Sequence, residues 1–364
     1  MIRKNQICFI EGTEYKDMTI RLLTGSGLKE LIPSKNARIG IKPNLVAASP
    51  AETGATTHPE VCAGLIEYLQ ANGFYNLVML EGSWVGEKTS DAIEVCGYDT
   101  LIQRYGVPFI DTQKEKAVPV DCAGMEISIC RAALDLDFLI NVPVLKGHCQ
   151  TKVTCALKNM KGLIPNREKR RFHAMGLMRP IAHLNTALRQ DFILVDNICG
   201  DLDFEDGGNP VVMNRLLCGR DPVLMDSYVC HLMHYAPEEI PYITFAEELG
   251  VGCADLKKAE VLSPENTSPK ELPLSRKVVL VEDHVQEVES CSACYGCLLP
   301  ALERLREEGL LDSLPGTVCI GQGFRGKSGD LGIGSCTALF REHLDGCPPL
   351  EDEIYSFLRR MIKT

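Results

Sequence analysis

The chain has 364 residues, 45% hydrophobic and 24% charged, which is enough for two domains with cores of their own. Its 38 basic and 49 acidic residues give a formal charge of −11, which disfavours nucleic acid or an anionic membrane surface as a partner. The opening Met1–Glu11 holds too short an apolar run for a signal peptide, and no stretch nears the roughly 18 apolar residues of a membrane helix. The expectation is a cytoplasmic protein, with its oligomeric state open. A reducing compartment does not sustain structural disulfides, so the 17 cysteines need another account. Cys8, Cys62, Cys155 and Cys230 stand alone in apolar runs and read as small buried hydrophobes. Such a load of thiols suits an anaerobe.

In chain order, strand-like runs cover Ile7–Ile10, Ala37–Lys42, Asn76–Glu81, Phe138–Val142, Phe192–Asp196 and Asn214–Cys218. Helical patterns fall between and after them. One opens at Thr57-His-Pro-Glu, with Pro59 in the first turn, a Thr57–Glu60 capping box and Gly73 just past the end. Others cover Thr151–Leu163, Pro222–His234 and Glu238–Gly250. The alternation predicts an α/β fold with a mostly parallel sheet and crossover helices. The turn-forming stretch from Ser263 to Pro273 reads as a linker, so domains are expected over 1–270 and 271–364. The second is a smaller α/β cysteine-rich module: a strand at Lys277–Val281, the cysteines, a helix at Pro300–Glu308, a strand at Gly316–Ile320, a glycine-rich loop and a final helix pair.

The most specific motif is Cys291-Ser-Ala-Cys294-Tyr-Gly-Cys297. Three thiols at two-residue gaps can each reach a different iron of a cubane, so the expected cofactor is a [4Fe–4S] cluster. Such runs take a fourth ligand, often remote and followed by proline. Cys347-Pro348 fits that description, with Cys336 its competitor and Cys319 a weaker one. Zinc is the alternative, but it favours two separated pairs, and no second Cys-x-x-Cys exists. The loop Gly321–Gly329 matches a phosphate-cradle spacing, yet Gly329-Asp-Leu-Gly is a poor helix start. It reads instead as a loop that lets backbone amides approach cluster sulfurs.

A polar constellation occupies strand-to-helix junctions of the large domain: Lys42, Asn44, His58, Lys146, His148, Lys158, Lys161 and, in a basic segment, His173. Ligand crevices of parallel α/β sheets lie at the carboxyl ends of strands, and a cationic lining suits a carboxylate or phosphate. His148, Lys146 and Asp196 are the catalytic candidates, with His148 foremost because histidine titrates near working pH. The other residues would bind the ligand. Plain readings stand beside these: helix lysines are usually solvated, and His58 can be a helix-start residue. Asp203, Glu205 and Asp206 follow the Asp196 strand. Asp221 reads as a helix N-cap, and Asp226, among apolar neighbours, needs a partner if buried.

Lys42-Pro-Asn44, Thr57-His58-Pro59, Asn141-Val-Pro-Val-Leu-Lys146-Gly-His148, Ala156-Leu-Lys158-Asn159-Met-Lys161-Gly162 and Gly219-Arg-Asp221-Pro-Val together resemble the domain-of-unknown-function family numbered 362, over roughly residues 35 to 235. That resemblance implies association with ferredoxin-like segments, but no reaction. In layout, Asp137–Pro165 is also similar to the nickel-pincer lactate racemases. Three functions are therefore expected: an iron–sulfur oxidoreductase acting on an anionic small molecule or with an electron-transfer partner protein; a non-catalytic protein handling a cluster or metallocofactor during maturation; or a racemase-like metalloenzyme.

Overall fold

The computed structural model describes residues 1–205, 209–265, 268–275 and 277–362. Asp206, and Asn266 and Thr267 of the expected linker, lie outside the described residues. The chain forms two compact units. The first takes Met1–Gly147, Val153–Phe172 and Leu177–Leu274; the second takes Ser275–Thr364 together with His148–Lys152 and His173–Gly176.

In the first unit the strands are β1 (Gln6–Glu11), β2 (Ile39–Pro43), β3 (Leu77–Glu81), β4 (Phe109–Asp111), β5 (Ala117–Cys122), β6 (Met125–Cys130), β7 (Phe138–Val142), β8 (Lys146–His148, whose last residue belongs to the second unit), β9 (Lys152–Thr154, whose first residue belongs to the second unit), β10 (Phe192–Asp201), β11 (Pro210–Gly219) and β12 (Glu260–Leu262). Eight of them form one sheet in the order β12-β1-β11-β10-β7-β2-β3-β4. All neighbours are parallel except those of β11, which runs antiparallel to both β1 and β10. The sheet is thus mostly parallel, as the alternation of elements predicts. The helices are α1 (Tyr15–Ser26), α2 (Pro59–Ala71), α3 (Thr89–Val95), α4 (Tyr98–Tyr105), α5 (Arg131–Leu134), α6 (Ala156–Asn159), α7 (Asn166–Met175, whose residues from His173 on belong to the second unit), α8 (Met178–Ala187), α9 (Pro222–Leu232) and α10 (Pro241–Glu248).

The strand pleat explains the layers. Ile7, Phe9, Leu139, Ile193 and Val195 enter one apolar cluster, while Ile10, Phe138, Ile140, Phe192 and Leu194 enter the other. Alternate residues of the same strand therefore serve opposite faces of the sheet. This is why the buried strands read as unbroken apolar runs. Among the described residues no helix is long and apolar enough to cross a membrane.

Three local expectations fail. The N-cap of α2 is His58, not Thr57, because the Thr57 hydroxyl donates to the Val142 carbonyl and accepts from Asn44 N, so no capping box forms. Thr151–Leu163 is not one helix. Lys152 has φ +59° within β9 and Cys155 is non-helical, so helical geometry starts only at Ala156 and tightens to a 3-10 turn over Met160–Leu163. Helix α10 starts at Pro241, after a separate 3-10 turn at Pro237–Glu239.

The second unit holds α11 (Lys277–Glu282), β13 (Val285–Glu287), α12 (Ser292–Glu307), β14 (Val318–Ile320), β15 (Leu331–Ile333), β16 (Glu342–Leu344) and α13 (Glu351–Met361). The β-branched run Lys277–Val281, expected as a strand, is helical. Val281 is buried, and Lys277 reaches Glu307 of α12 at 3.5 Å, so tertiary contacts override strand propensity. Helix α12 starts at Ser292 rather than Pro300, and carries Cys294 and Cys297 on its first turns with Cys291 as N-cap. Of the expected final helix pair only α13 forms; the stretch before it holds β16. Strands β13, β14, β15 and β16 are hydrogen-bonded in that order, every neighbour parallel.

Candidate functional site

Of the polar residues expected to line a crevice, Lys42, Asn44, Lys146 and Lys158 form an internal network of the first unit. Lys42 and Lys146 are both 0% exposed. The Lys42 ammonium donates to Glu81 at 2.6 Å, to the Pro43 carbonyl at 2.7 Å and to Asn159 Oδ1 at 3.2 Å. Burial lowers the Lys42 pKa, and Glu81 opposes that shift. Asn44 Nδ2 donates to the same Asn159 oxygen, while Asn159 Nδ2 donates to Asn141 at 2.6 Å. Gly162 closes this network. A Cβ there would stand 1.8 Å from Glu81 Oε1 and 2.7 Å from Lys42 Nζ, so only glycine lets the backbone approach the ion pair.

Lys146 Nζ donates to the carbonyls of Ala55 (2.6 Å) and Glu205 (2.8 Å), and Lys158 pairs with the Glu205 carboxylate. Lys161 is half-buried. His58 and Asp196, which share no sequence motif, form a buried pair. Asp196 Oδ2 accepts from the His58 backbone N–H at 2.7 Å and stands 2.8 Å from Nδ1. Burial alone would lower the His58 pKa, but the Asp196 carboxylate outweighs it and the net shift is upward. Lys169, not anticipated from sequence, donates to the Gly82 and Ser83 carbonyls, both at 2.7 Å, and burial brings its pKa down to about 8. Asp226 finds its partners in the backbone N–H groups of Ala156 (2.7 Å) and Leu157 (3.1 Å) at the start of α6. Burial nevertheless pushes its pKa up to about 7. Asp221 caps α9, accepting from Val223 N and Leu224 N.

His148 and His173 belong to the second unit. His148 Nδ1 accepts from Gln150 N (2.9 Å) and Thr151 N (3.1 Å), which puts the hydrogen of a neutral ring on Nε2. Gln150 Nε2 donates to the Ser290 carbonyl at 2.9 Å, and Ser292 Oγ donates to Gln150 Oε1 and lies 3.2 Å from His173 Nδ1. The residues on either side of Cys291 are thereby held by Gln150 and His173, which no spacing rule in the sequence signals.

The cysteines lie at the carboxyl ends of the small parallel sheet. The loop after β13 leads to Cys291 and into α12. The loop after β14 holds Gln322 and Arg325, the loop after β15 holds Cys336, and the loop after β16 holds Cys347. Gln322 Nε2 donates to Cys291 Sγ at 3.7 Å, and Arg325 Nε donates to Cys336 Sγ at 3.5 Å. Ser335 N donates to the Gly346 carbonyl at 2.9 Å, which ties the Cys336 and Cys347 loops together. Burial raises the Cys294 thiol to about 12, and the thiols of Cys291, Cys347, Cys336 and Cys297 add to the shift in that order. Cys319 lies within β14, with its thiol directed to Gln286 Oε1 at 3.5 Å. Among the described residues no three His, Cys, Asp or Glu side chains stand close enough to share a single metal ion.

Several known proteins are similar to this chain. A thylakoid-associated protein of Synechocystis is 24% identical over 221 residues, covering 59% of this chain and 68% of its own length. The lactate racemase apoprotein of Thermoanaerobacterium thermosaccharolyticum has a similar fold at 13% identity, with a TM-score of 0.41 over 65% of this chain and 58% of its own. A Thermotoga maritima protein from a structural genomics programme gives 0.36 at 15% identity, covering 56% of each chain. The chain thus spans less than two thirds of either solved structure. Residues 39–231, more than half of the chain, match the family model described as a domain of unknown function, DUF362, and the chain belongs to that family.

Proposed function

We propose that the protein is an iron–sulfur protein whose second unit holds one [4Fe–4S] cluster and serves one-electron transfer. The observation that carries this reading is the gathering of cysteine-bearing loops at one end of the β13–β16 sheet, where three of four strand ends lead to a cysteine and the fourth supplies N–H donors to two of the sulfurs. A cubane asks less mutual closeness of its thiols than a single ion does, because each thiolate binds a different iron. The donor set is all sulfur, as such a cluster requires. The start of α12 presents the positive end of a helix dipole to the thiolates of Cys291 and Cys294, and the Arg325 guanidinium adds a full charge beside Cys336. Hydrogen bonds of this kind to cluster sulfurs raise a reduction potential. When bound, the cluster would supply a one-electron couple, filled from and emptied to an external one-electron carrier protein.

In the first unit, Lys42, Lys146 and Lys158 already have internal acceptors. An anionic small molecule bound there would have to displace Glu81 or the Glu205 contacts, so we assign the chemistry to the cysteines. Protein purified without oxygen is expected to contain about four irons and four acid-labile sulfides per chain, with a broad visible absorbance that reduction bleaches. One zinc and no sulfide would overturn the reading.

A further inference from the structure

The triplet Cys291, Cys294 and Cys297 invites the assumption that all three are ligands. We propose instead that the four iron ligands are Cys291, Cys294, Cys336 and Cys347, that Cys297 is not a ligand, and that Arg325 positions and charges the cluster edge at Cys336. This assignment rests on the iron–sulfur reading above and sharpens it.

The end of the sheet sets the geometry. Cys291 is the N-cap of α12 and Cys294 lies in its first turn, so both stand where the helix meets the strand-end loops. Cys297 lies one turn further in. At about 1.5 Å rise and 100° per residue, it is roughly 4.5 Å beyond Cys294 along the axis and about 120° around it from Cys291. The other side of the site approaches from the loops. Gln322 N donates to the Glu289 carbonyl at 3.1 Å and Gly323 N to the Val288 carbonyl at 3.0 Å, which fastens the loop after β14 to the segment that leads into Cys291. From that loop Gln322 reaches Cys291 Sγ, and Arg325, three residues on, reaches Cys336 Sγ. Gly334 N donates to the Leu344 carbonyl at 2.8 Å and Ser335 N to the Gly346 carbonyl at 2.9 Å, so Cys336 and Cys347 each follow a residue of the same hydrogen-bonded pair. One continuous set of contacts therefore links Cys291, Cys336 and Cys347, with Cys294 beside Cys291.

The test uses the full chain, produced and reconstituted with iron and sulfide under anaerobic conditions. Cys336→Ser and Cys347→Ser should each lose the cluster signal and the four-iron stoichiometry, while Cys297→Ser and Cys297→Ala keep both. Cys347 is exposed and Cys336 half-buried, so an unchanged far-UV circular dichroism spectrum separates ligand loss from unfolding. Arg325→Ala should keep the cluster and lower its midpoint potential, with Arg325→Lys restoring part of the shift. A wild-type chain that takes up no iron defeats the functional reading itself. A wild-type chain with four irons in which Cys297 is required and Cys336 dispensable overturns this assignment alone. An unmoved potential in Arg325→Ala removes the role given to Arg325.

Discussion

The lysine network of the first unit and the cysteine loops of the second are both dense clusters of polar chemistry, but they are completed differently. In the first, each cation meets an internal acceptor: Lys42 has Glu81, Lys146 has two carbonyls, Lys158 has Glu205. Desolvated charge is already compensated, so the network's first product is a fixed backbone around Gly162 and Asn159. In the second, the side-chain donors of Gln322 and Arg325 point at the sulfurs of Cys291 and Cys336. The iron–sulfur proposal rests on these donors, which among the described residues no carboxylate or carbonyl occupies in place of the sulfurs. Chemical concentration alone does not mark a functional site; the question is whether the cluster already contains its own partners.

Five substitutions would break or sharpen that contrast, in order from the largest expected effect to the smallest. Glu81→Gln strands Lys42 without its counter-charge and should cost about 3–5 kcal/mol in urea unfolding. A loss below ~1 kcal/mol would mean that the lysine network is not self-contained. Gly162→Ala forces a methyl onto the same ion pair and should cost about 2–3 kcal/mol, read from the same unfolding curves.

The next two compare pH dependences. The folded His58 pKa is raised, so the stability it contributes is fully present below the unfolded value near 6.5 and is lost as pH rises through the folded value. Asp196→Asn should therefore destabilise more at pH 6 than at pH 9. Asp226 is the acid case, raised from 3.8 to about 7: the folded state holds its proton more tightly, so its effect makes stability fall as pH climbs between those values and level off above. Asp226→Asn should flatten that decline, and an unaltered slope would count against the buried carboxyl as its source. The smallest effect belongs to the cysteine loops. In metal-free protein Cys336→Ser should change stability by less than ~0.5 kcal/mol, because the thiol is only half-buried and a serine hydroxyl can still accept from Arg325.

How much of this is legible in the sequence follows from where the determinants lie. The strands from Ile7–Ile10 to Asn214–Cys218 are readable because both faces of the sheet are covered, and continuous apolar runs result. The DUF362 membership is readable from its clustered motifs. Thr151–Leu163 misleads because its periodicity is helical while Lys152 sits at positive φ, a conformation that composition does not signal. Lys277–Val281 misleads because its β-branched residues are decided by packing. Cys336 and Cys347 can be picked out as candidates, since glycine and proline lie near them. Gln150, Gln322 and Arg325 cannot, because a hydrogen bond to a distant loop leaves no local pattern. The lysines are visible as residues but not as pairs: Lys42 and Glu81 belong to neighbouring strands, and their separation in sequence hides the contact.

The single antiparallel strand of the large sheet has a consequence during synthesis. β1 is hydrogen-bonded to β11 on one side and β12 on the other, so its two neighbours are made only when residues 210–219 and 260–262 emerge. At ~5–20 residues per second on the ribosome, the apolar segment from Ile7 to Ile10 waits on the order of ten seconds to a minute without a partner strand. Nascent chains of this protein should therefore recruit chaperones early and release them late, well after the central strands β2, β3 and β7 have met one another.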